Sequence, residues 1–286
     1  MRGPQRAARG GAVLATAIAL SMVLGAGTAS AAFARIGARS VRGSHEQAGV
    51  LVPAHPRVRL PLRGGTVDSL NWSGYAVTPG SGVSGVTGTF RVPSAGLVPP
   101  GFAATWTGIG GYTTSDLIQA GVAEQSIPST TLLGSQYYAW YELLPTVSVP
   151  LTDCVGDAAC NVAPGDQVTV TIHDVAGNTW RITVTDSTKW SWTKDVAYAS
   201  SGSSAEWILE APTLDVAQTL LAPVGTVSFG PVSTFTAAGV TQTIAQGDPT
   251  TIDLSPGIVN EATVSALAAN GQSFNVCSYS QTCAAP

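Results

Sequence analysis

The stretch QVTVTIHDVAGNTWRITVTD, Gln167 to Asp186, decides the fold. Val168, Val170 and Ile172 alternate with Thr169, Thr171 and His173. Trp180, Ile182 and Val184 then alternate with Arg181, Thr183 and Thr185. A period of two puts one side-chain set on a buried face and the other in water. Ala176-Gly177-Asn178 between the runs is turn material, because glycine and asparagine tolerate a positive φ. The reading is a β-hairpin with one wet face.

Similar runs recur on both sides of this hairpin: 71–77, 87–92, 103–109, 116–122, 136–143, 205–210, 226–230 and 272–279, separated by Gly, Pro and Ser. Leu214–Leu221 is the one segment that reads as a short helix. So many short strands in one body predict an all-β fold, an antiparallel β-sandwich of two large sheets of the jelly-roll or lectin-like kind. The chain shows no internal repeat at a fixed period.

Composition narrows the function. The chain has 286 residues, 44% of them hydrophobic and 10% charged. That is too apolar for a disordered chain, and there is no basic stripe of the kind that neutralises phosphates. The charge is also uneven. Nine of the 13 basic residues lie at or before Arg63, whereas from Gly64 onward four bases face 16 acids. A body that acidic repels itself at neutral pH and is relieved as carboxylates protonate.

The N-terminus reads as an export signal over residues 1–31. Arg2, Arg6 and Arg9 precede a short apolar run, and Ala29-Ser30-Ala31 has the small-x-small pattern of a cleavage site. The run is too short for a membrane span of about 20 residues. Residues 32–65 then hold six arginines against Glu46, with three prolines and no helical or strand period. They read as a basic propeptide or linker whose charge pairs with the acidic body, residues 66–286, until low pH breaks the attraction. The expected mature protein is secreted, extracellular and monomeric, with no nucleic-acid or membrane partner. The cysteines Cys154, Cys160, Cys277 and Cys283 suggest disulfides in an exported chain, and two local pairs are the simplest of three connectivities.

Available chemistries are few. His173 is the only histidine after residue 63, so a Ser-His-Asp triad has one candidate base, and that lies on a wet strand face. There is no H-E-x-x-H, no phosphate-cradling glycine loop and no D-[ST]-G. No metal and no cofactor is expected. Carboxylates, amides and aromatics remain, in three runs. In Asp116-Leu-Ile-Gln119-Ala-Gly121, period two puts Gln119 on a face with Leu117 and Gly121. In Ala139-Trp-Tyr-Glu142-Leu-Leu-Pro145, Glu142 lies between Trp140 and Leu144, where desolvation would raise its pKa. In Ala205-Glu-Trp-Ile-Leu-Glu210, Glu206 and Glu210 share a face about 13 Å apart, too far to share a proton.

Seven segments in order resemble the glutamic peptidase (eqolisin) family. They are Asn71-Trp72-Ser73-Gly74, Val86–Pro93, Trp106-Thr-Gly-Ile109, Leu117–Gly121, Ala139-Trp-Tyr-Glu142, Pro164-Gly-Asp166 and Ala205–Glu210. The resemblance covers roughly residues 70–230. It implies a sandwich of two antiparallel sheets and a catalytic pair on Gln119 and Glu210. It also implies cleft residues at Trp72, Trp106, Trp140 and Glu142, and polypeptide substrates. By that reading Glu210 moves the proton of an attacking water and Gln119 stabilises the oxyanion. The fungal members carry acidic residues where this chain has Gly110-Gly111, and an aspartate where it has Ala123.

Two other readings use the same residues. A β-sandwich glycoside hydrolase would pair Glu142 with Glu206 or Glu210 across strands and leave Gln119 dispensable. A non-catalytic sandwich would bind carbohydrate or protein through its tryptophans.

Overall fold

The Gln167–Ala176 and Thr179–Asp186 strands form the expected hairpin, turned by Gly177 and Asn178 at φ 56° and 65°. The computed structural model describes residues 46–54, 59–61, 63–128, 133–214, 217–257 and 259–286. The export signal at 1–31 and the start of the basic segment lie outside the described residues.

From this hairpin the hydrogen-bonded order runs through Val83–Arg91 and Thr226–Ala237, which with the edge strand Trp190–Ala197 make the first layer. Phe274–Ser278 and Ala262–Val264 carry the ladder round the bend. The second layer follows in the order Thr250–Leu254, Trp72–Val77, Ala205–Glu210, Gly101–Gly110, Leu117–Pro128 and Leu133–Leu143. Pairing is antiparallel except where Thr66–Ser69 lies parallel to Thr250–Leu254, and where Phe102 makes an isolated parallel bridge with Leu221. The fold is therefore the expected all-β sandwich, built as one ladder curled over itself. Among the described residues no helix is long and apolar enough to cross a membrane.

Alternation divides the second layer between two apolar clusters. Ala103, Ile109, Ile118, Ala120, Val122, Tyr141, Trp207 and Leu209 face the first layer and pack on Val86, Phe90, Val170 and Ile172. Trp72, Ala76, Ala104, Trp106, Ala123, Trp140 and Ile208 face the other way, where Ala48 and Leu51 cover them. Both faces of Gly101–Gly110 are thus buried along its whole length. The layers pack tightly at Gly88, where a Cβ would lie 2.1 Å from Thr107 Oγ1.

Leu214–Leu221 is not a helix in its described part: Thr213–Leu214 pairs with Ala217–Gln218 and with Glu46–Gln47. A strand partner supplied from far along the chain outweighs weak local propensity. Trp190–Ala197, Thr250–Leu254 and Ala262–Val264 are strands the alternation did not single out. The cysteines form the two local pairs, Cys154–Cys160 and Cys277–Cys283.

Candidate active site

Cross-strand register arranges the second face of this layer in transverse rows. One row runs Glu206, Gly108, Gln119, Glu142. The next runs Ile208, Trp106, Gly121, Trp140, and the third Glu210, Ala104, Ala123, Tyr138. All the predicted site residues except Trp72 stand in these rows, and Trp72 pairs beside Glu210 on the neighbouring strand. Gln119 and Glu210 share the face, displaced by four residues along the strands. The carboxylate in Gln119's own row is Glu206. Gly108 and Gly121 keep the floor low: a Cβ on Gly108 would lie 3.0 Å from the Gln119 Cβ, and one on Gly121 2.6 Å from the Trp106 Cβ.

Glu210 is held by N–H donors at both oxygens. Trp106 Nε1 donates to Oε2 at 2.8 Å. Asn71 Nδ2 at 3.2 Å and the Gly49 amide at 2.9 Å donate to Oε1. Trp72 packs edge-on against Trp106, ring centres 5.0 Å apart, and donates through Nε1 to the Gly49 carbonyl at 2.8 Å. Full burial pushes the Glu210 carboxyl up to about 8, against the pull of these donors, which favour the charged form.

Gln119 belongs to a second polar pair. Its Nε2 donates to Glu142 Oε2 at 2.7 Å. Its Oε1 is buried with no hydrogen-bond partner among the described residues, whereas Glu142 is also served by the Ser148 backbone N–H. Burial first, and the Glu210 charge second, raise the Glu142 carboxyl to about 9, while the Gln119 N–H pulls it back. Glu142 is thus bonded to Gln119 in the row that holds Glu206, while Glu210 stands two rows away.

Trp140 faces the floor next to Gly121 and packs, with Tyr138, around Ala48. Glu206 is buried, and burial followed by the Asp116 charge raises its pKa well above the carboxylate range. Tyr112 roofs this end and donates its hydroxyl to the Pro61 carbonyl at 2.7 Å. His173 lies on the wet face of its strand, outside the site. Asn71 has no role in the sequence reading, though its motif neighbour Trp72 points to the place. Gly49 had no signal, since a glycine bonding through its backbone leaves no mark on alternation. Among the described residues no cluster of His, Cys, Asp and Glu has the arrangement of a metal site.

This arrangement places a carboxyl group held by N–H donors, a neutral amide with a spare acceptor and a second, easily protonated carboxyl on one floor walled by indoles. Such a set can relay a proton and stabilise a developing oxyanion without metal or nucleophilic side chain.

The model of the Peptidase A4 family matches residues 70–279. Among solved structures, the chain is similar to a scytalido-glutamic peptidase with a transition state analog inhibitor, at 19% identity and TM-score 0.56, over 73% of this chain and 98% of that one. It is similar to SCP-B, a member of the Eqolisin family of peptidases in a complex with the tripeptide Ala-Ile-His, at 20% identity and TM-score 0.53, over 73% and 98%. Aspergilloglutamic peptidase from Aspergillus niger matches at 23% identity and TM-score 0.52, over 62% and 99%. No curated protein matches the sequence.

Proposed function

Since the chain belongs to the Peptidase A4 family and is therefore a peptidase, we propose that it is a secreted acid endopeptidase that works through Glu210 and Gln119. The observation that carries this reading is the shared floor: Gln119, Glu142 and Glu210 stand on one face of the layer, with Gln119 donating to Glu142 at 2.7 Å and Trp106 donating to Glu210 at 2.8 Å. The solved glutamic peptidases whose fold it shares include ones with a peptide-based transition state analog and with a tripeptide, which supports peptides as the occupants of this cleft.

Glu210 takes a proton from the attacking water as the oxygen bonds to the scissile carbonyl carbon, and returns it to the amine as the carbon–nitrogen bond breaks. One Gln119 N–H holds Glu142, and the second can donate to the oxyanion. The unpartnered Gln119 Oε1 leaves the amide a spare acceptor. Glu142 serves as a protonated acid that orients the amide. An amide carries no charge at any pH, so the pair avoids two carboxylates repelling each other. Access by solvent lowers the Glu210 carboxyl toward its ordinary range near 4, where an acid optimum follows.

Residues 1–31 are proposed as an export signal and 32–65 as a propeptide removed on maturation. The two disulfides support an oxidising destination. The test is cleavage of denatured casein at pH 3–5 by the processed protein, by Glu210→Gln and by Gln119→Ala. Cleavage lost in both variants with the fold retained supports the pair. Full activity in Glu210→Gln refutes it, and loss in Glu210→Gln with Gln119→Ala fully active returns the cleft to a two-carboxylate chemistry.

A further inference from the structure

The edge strand Trp190–Ala197 of the first layer is paired along its inner side, with Thr179–Asp186. On its outer side Ser191 exchanges two backbone bonds with Val155, at 2.8 and 3.0 Å. Antiparallel bonding alternates, so Thr193 and Asp195 present their N–H and C=O groups to that same side. Among the described residues these main-chain groups have no partner. The chain that bridges at Val155 does not continue along the edge. Asp153, at φ 62°, turns it off, and Val149–Pro150 pairs instead with Tyr141 and Trp140 of the second layer.

A groove of about 480 Å³ remains between the two layer edges. Tyr141 walls it on one side, Trp192 and Lys194 on the other, and the two rings stack with centres 5.3 Å apart. Val149 and Val155 stand exposed at its margin. Open edges are commonly blunted by a lysine that projects across them. Lys194 points elsewhere: its Nζ donates to the Tyr141 hydroxyl at 2.8 Å and sits 5.0 Å from the centre of that ring. Arg181 and Lys189 are paired with Asp195 and Asp166. Lys194 has no carboxylate partner among the described residues, so its ammonium is held in the groove without a counter-ion.

A strand added beside Thr193 and Asp195 would bond through their main-chain groups whatever its sequence, and its side chains would select among sequences. Alternation sends the side chain opposite Lys194 into the groove and those opposite Thr193 and Asp195 to the wet side. An acidic side chain opposite Lys194 makes a favourable cross-strand pair. A second copy of this chain fits less well, because antiparallel pairing of two such edges about Lys194 or Asp195 sets like charges opposite each other. We propose that this groove is a second peptide site, which takes an extended stretch of polypeptide carrying Asp or Glu opposite Lys194 and docks protein substrates away from the cleft floor. The docking role rests on the peptidase reading, whereas the strand addition does not. Tyr141 faces the groove while Trp140 and Glu142 face the floor, so the two sites lie back to back on one strand.

The probe is the fluorescein-labelled peptide Val-Thr-Glu-Thr-Val, with its Val-Thr-Lys-Thr-Val counterpart, followed by anisotropy near pH 6, where Glu and Lys are both charged. The full chain is compared with Lys194→Glu, which reverses the charge, and with Thr193→Pro. Proline deletes an outward N–H that has no ladder bond to lose, so that variant should fold. The unaltered chain should prefer the Glu peptide by about fivefold, and Lys194→Glu should prefer the Lys peptide by a similar factor. Thr193→Pro should weaken both by about tenfold. In the casein assay the Glu peptide should raise KM without changing kcat, and should leave untouched the cleavage of a short peptide that fills only the cleft. An unreversed preference, or undiminished binding by Thr193→Pro, overturns the site. Inhibition of the short peptide as well places the probe in the cleft and also overturns it. Sedimentation that shows a dimer lost in Thr193→Pro makes a second copy the occupant and overturns the docking of substrates, as does an unmoved KM for casein. If binding follows the expected preferences while no form cleaves casein, the groove stands and the peptidase reading falls.

Discussion

Gln119 Nε2 donates to Glu142 Oε2 at 2.7 Å across the neighbouring strand, so the amide is aimed by a carboxyl group that burial holds mostly protonated below about pH 9. A protonated carboxyl and a carboxamide are near-isosteres, and both offer a carbonyl acceptor. Glu142→Gln should therefore keep kcat at pH 4 within about tenfold, whereas Glu142→Leu should lower it by about 10² by leaving the amide unaimed. Steady-state kinetics on a peptide substrate check the pair. Equal losses would give Glu142 a proton-transfer role.

Glu210 and Glu206 are separable by their surroundings. Both are raised by burial, but Glu210 has N–H donors at both oxygens that favour its charged form, whereas Glu206 is pushed well above the carboxylate range with only Ser204 pulling it back. Glu210→Gln should lose at least about 10³ in kcat, on the scale of a missing general base. Glu206→Gln should stay within about tenfold, the effect of a supporting side chain. Reversal of this order would move the base into Gln119's own row.

Trp106→Phe keeps the ring but deletes the donor to Glu210 Oε2. Losing a donor to the charged form raises the pKa of an acid. The acid limb of kcat/KM should move to higher pH, by about one unit. An unmoved limb would mean that the Trp106 N–H does not tune this carboxyl group.

Stability should fall as pH rises. Glu142 and Glu210 are raised to about 9 and about 8, and Glu206 is raised well above its ordinary value. Groups with raised folded pKa values stabilise fully below their unfolded values, near 4, and lose that contribution as pH climbs through the folded ones. Asp116 and Asp166 are lowered and act in the opposite sense, losing their contribution as pH falls through their folded values. They are more exposed, so their share is smaller. The melting temperature of the full chain should peak near pH 4–5 and decline steadily to pH 9. A rise between pH 5 and 8 would contradict the burial of these acids.

Gly88→Ala tests the contact between the layers. Its Cβ would meet Thr107 Oγ1 at 2.1 Å and Trp207 Cδ1 at 2.7 Å. Overpacking of this kind costs about 1–3 kcal/mol. A lowered denaturant midpoint with an unchanged slope is the expected result, and a neutral substitution would mean that the layers can move apart.

Much of this was readable from local pattern. Period two places Gln119, Glu142 and Trp140 on definite strand faces, and Gly177-Asn178 marks the hairpin turn, because both signals are local. The register across strands is not local: nothing within Ala205–Glu210 says that Glu206, and not Glu210, lines up with Gln119. Leu214–Leu221 reads locally as a helix, but Thr213–Leu214 pairs with the distant Glu46–Gln47 and in turn with Ala217–Gln218. The segment over the cleft was unreadable for a related reason. Its order comes from backbone groups meeting distant side chains, which no alternation encodes.

The strict division of Gly101–Gly110 and its neighbours between two buried faces carries a consequence for how the ladder zips. A slip of one residue in any of these strands would swing Glu206, Gln119 or Glu142 into the greasy interior and turn Trp207 or Ala120 outward. Each misaligned pairing would strand a polar group in oil. The side chains that perform the chemistry therefore also proofread the assembly, and replacing them with apolar residues would widen the choice of wrong alignments even where it firmed up the right one.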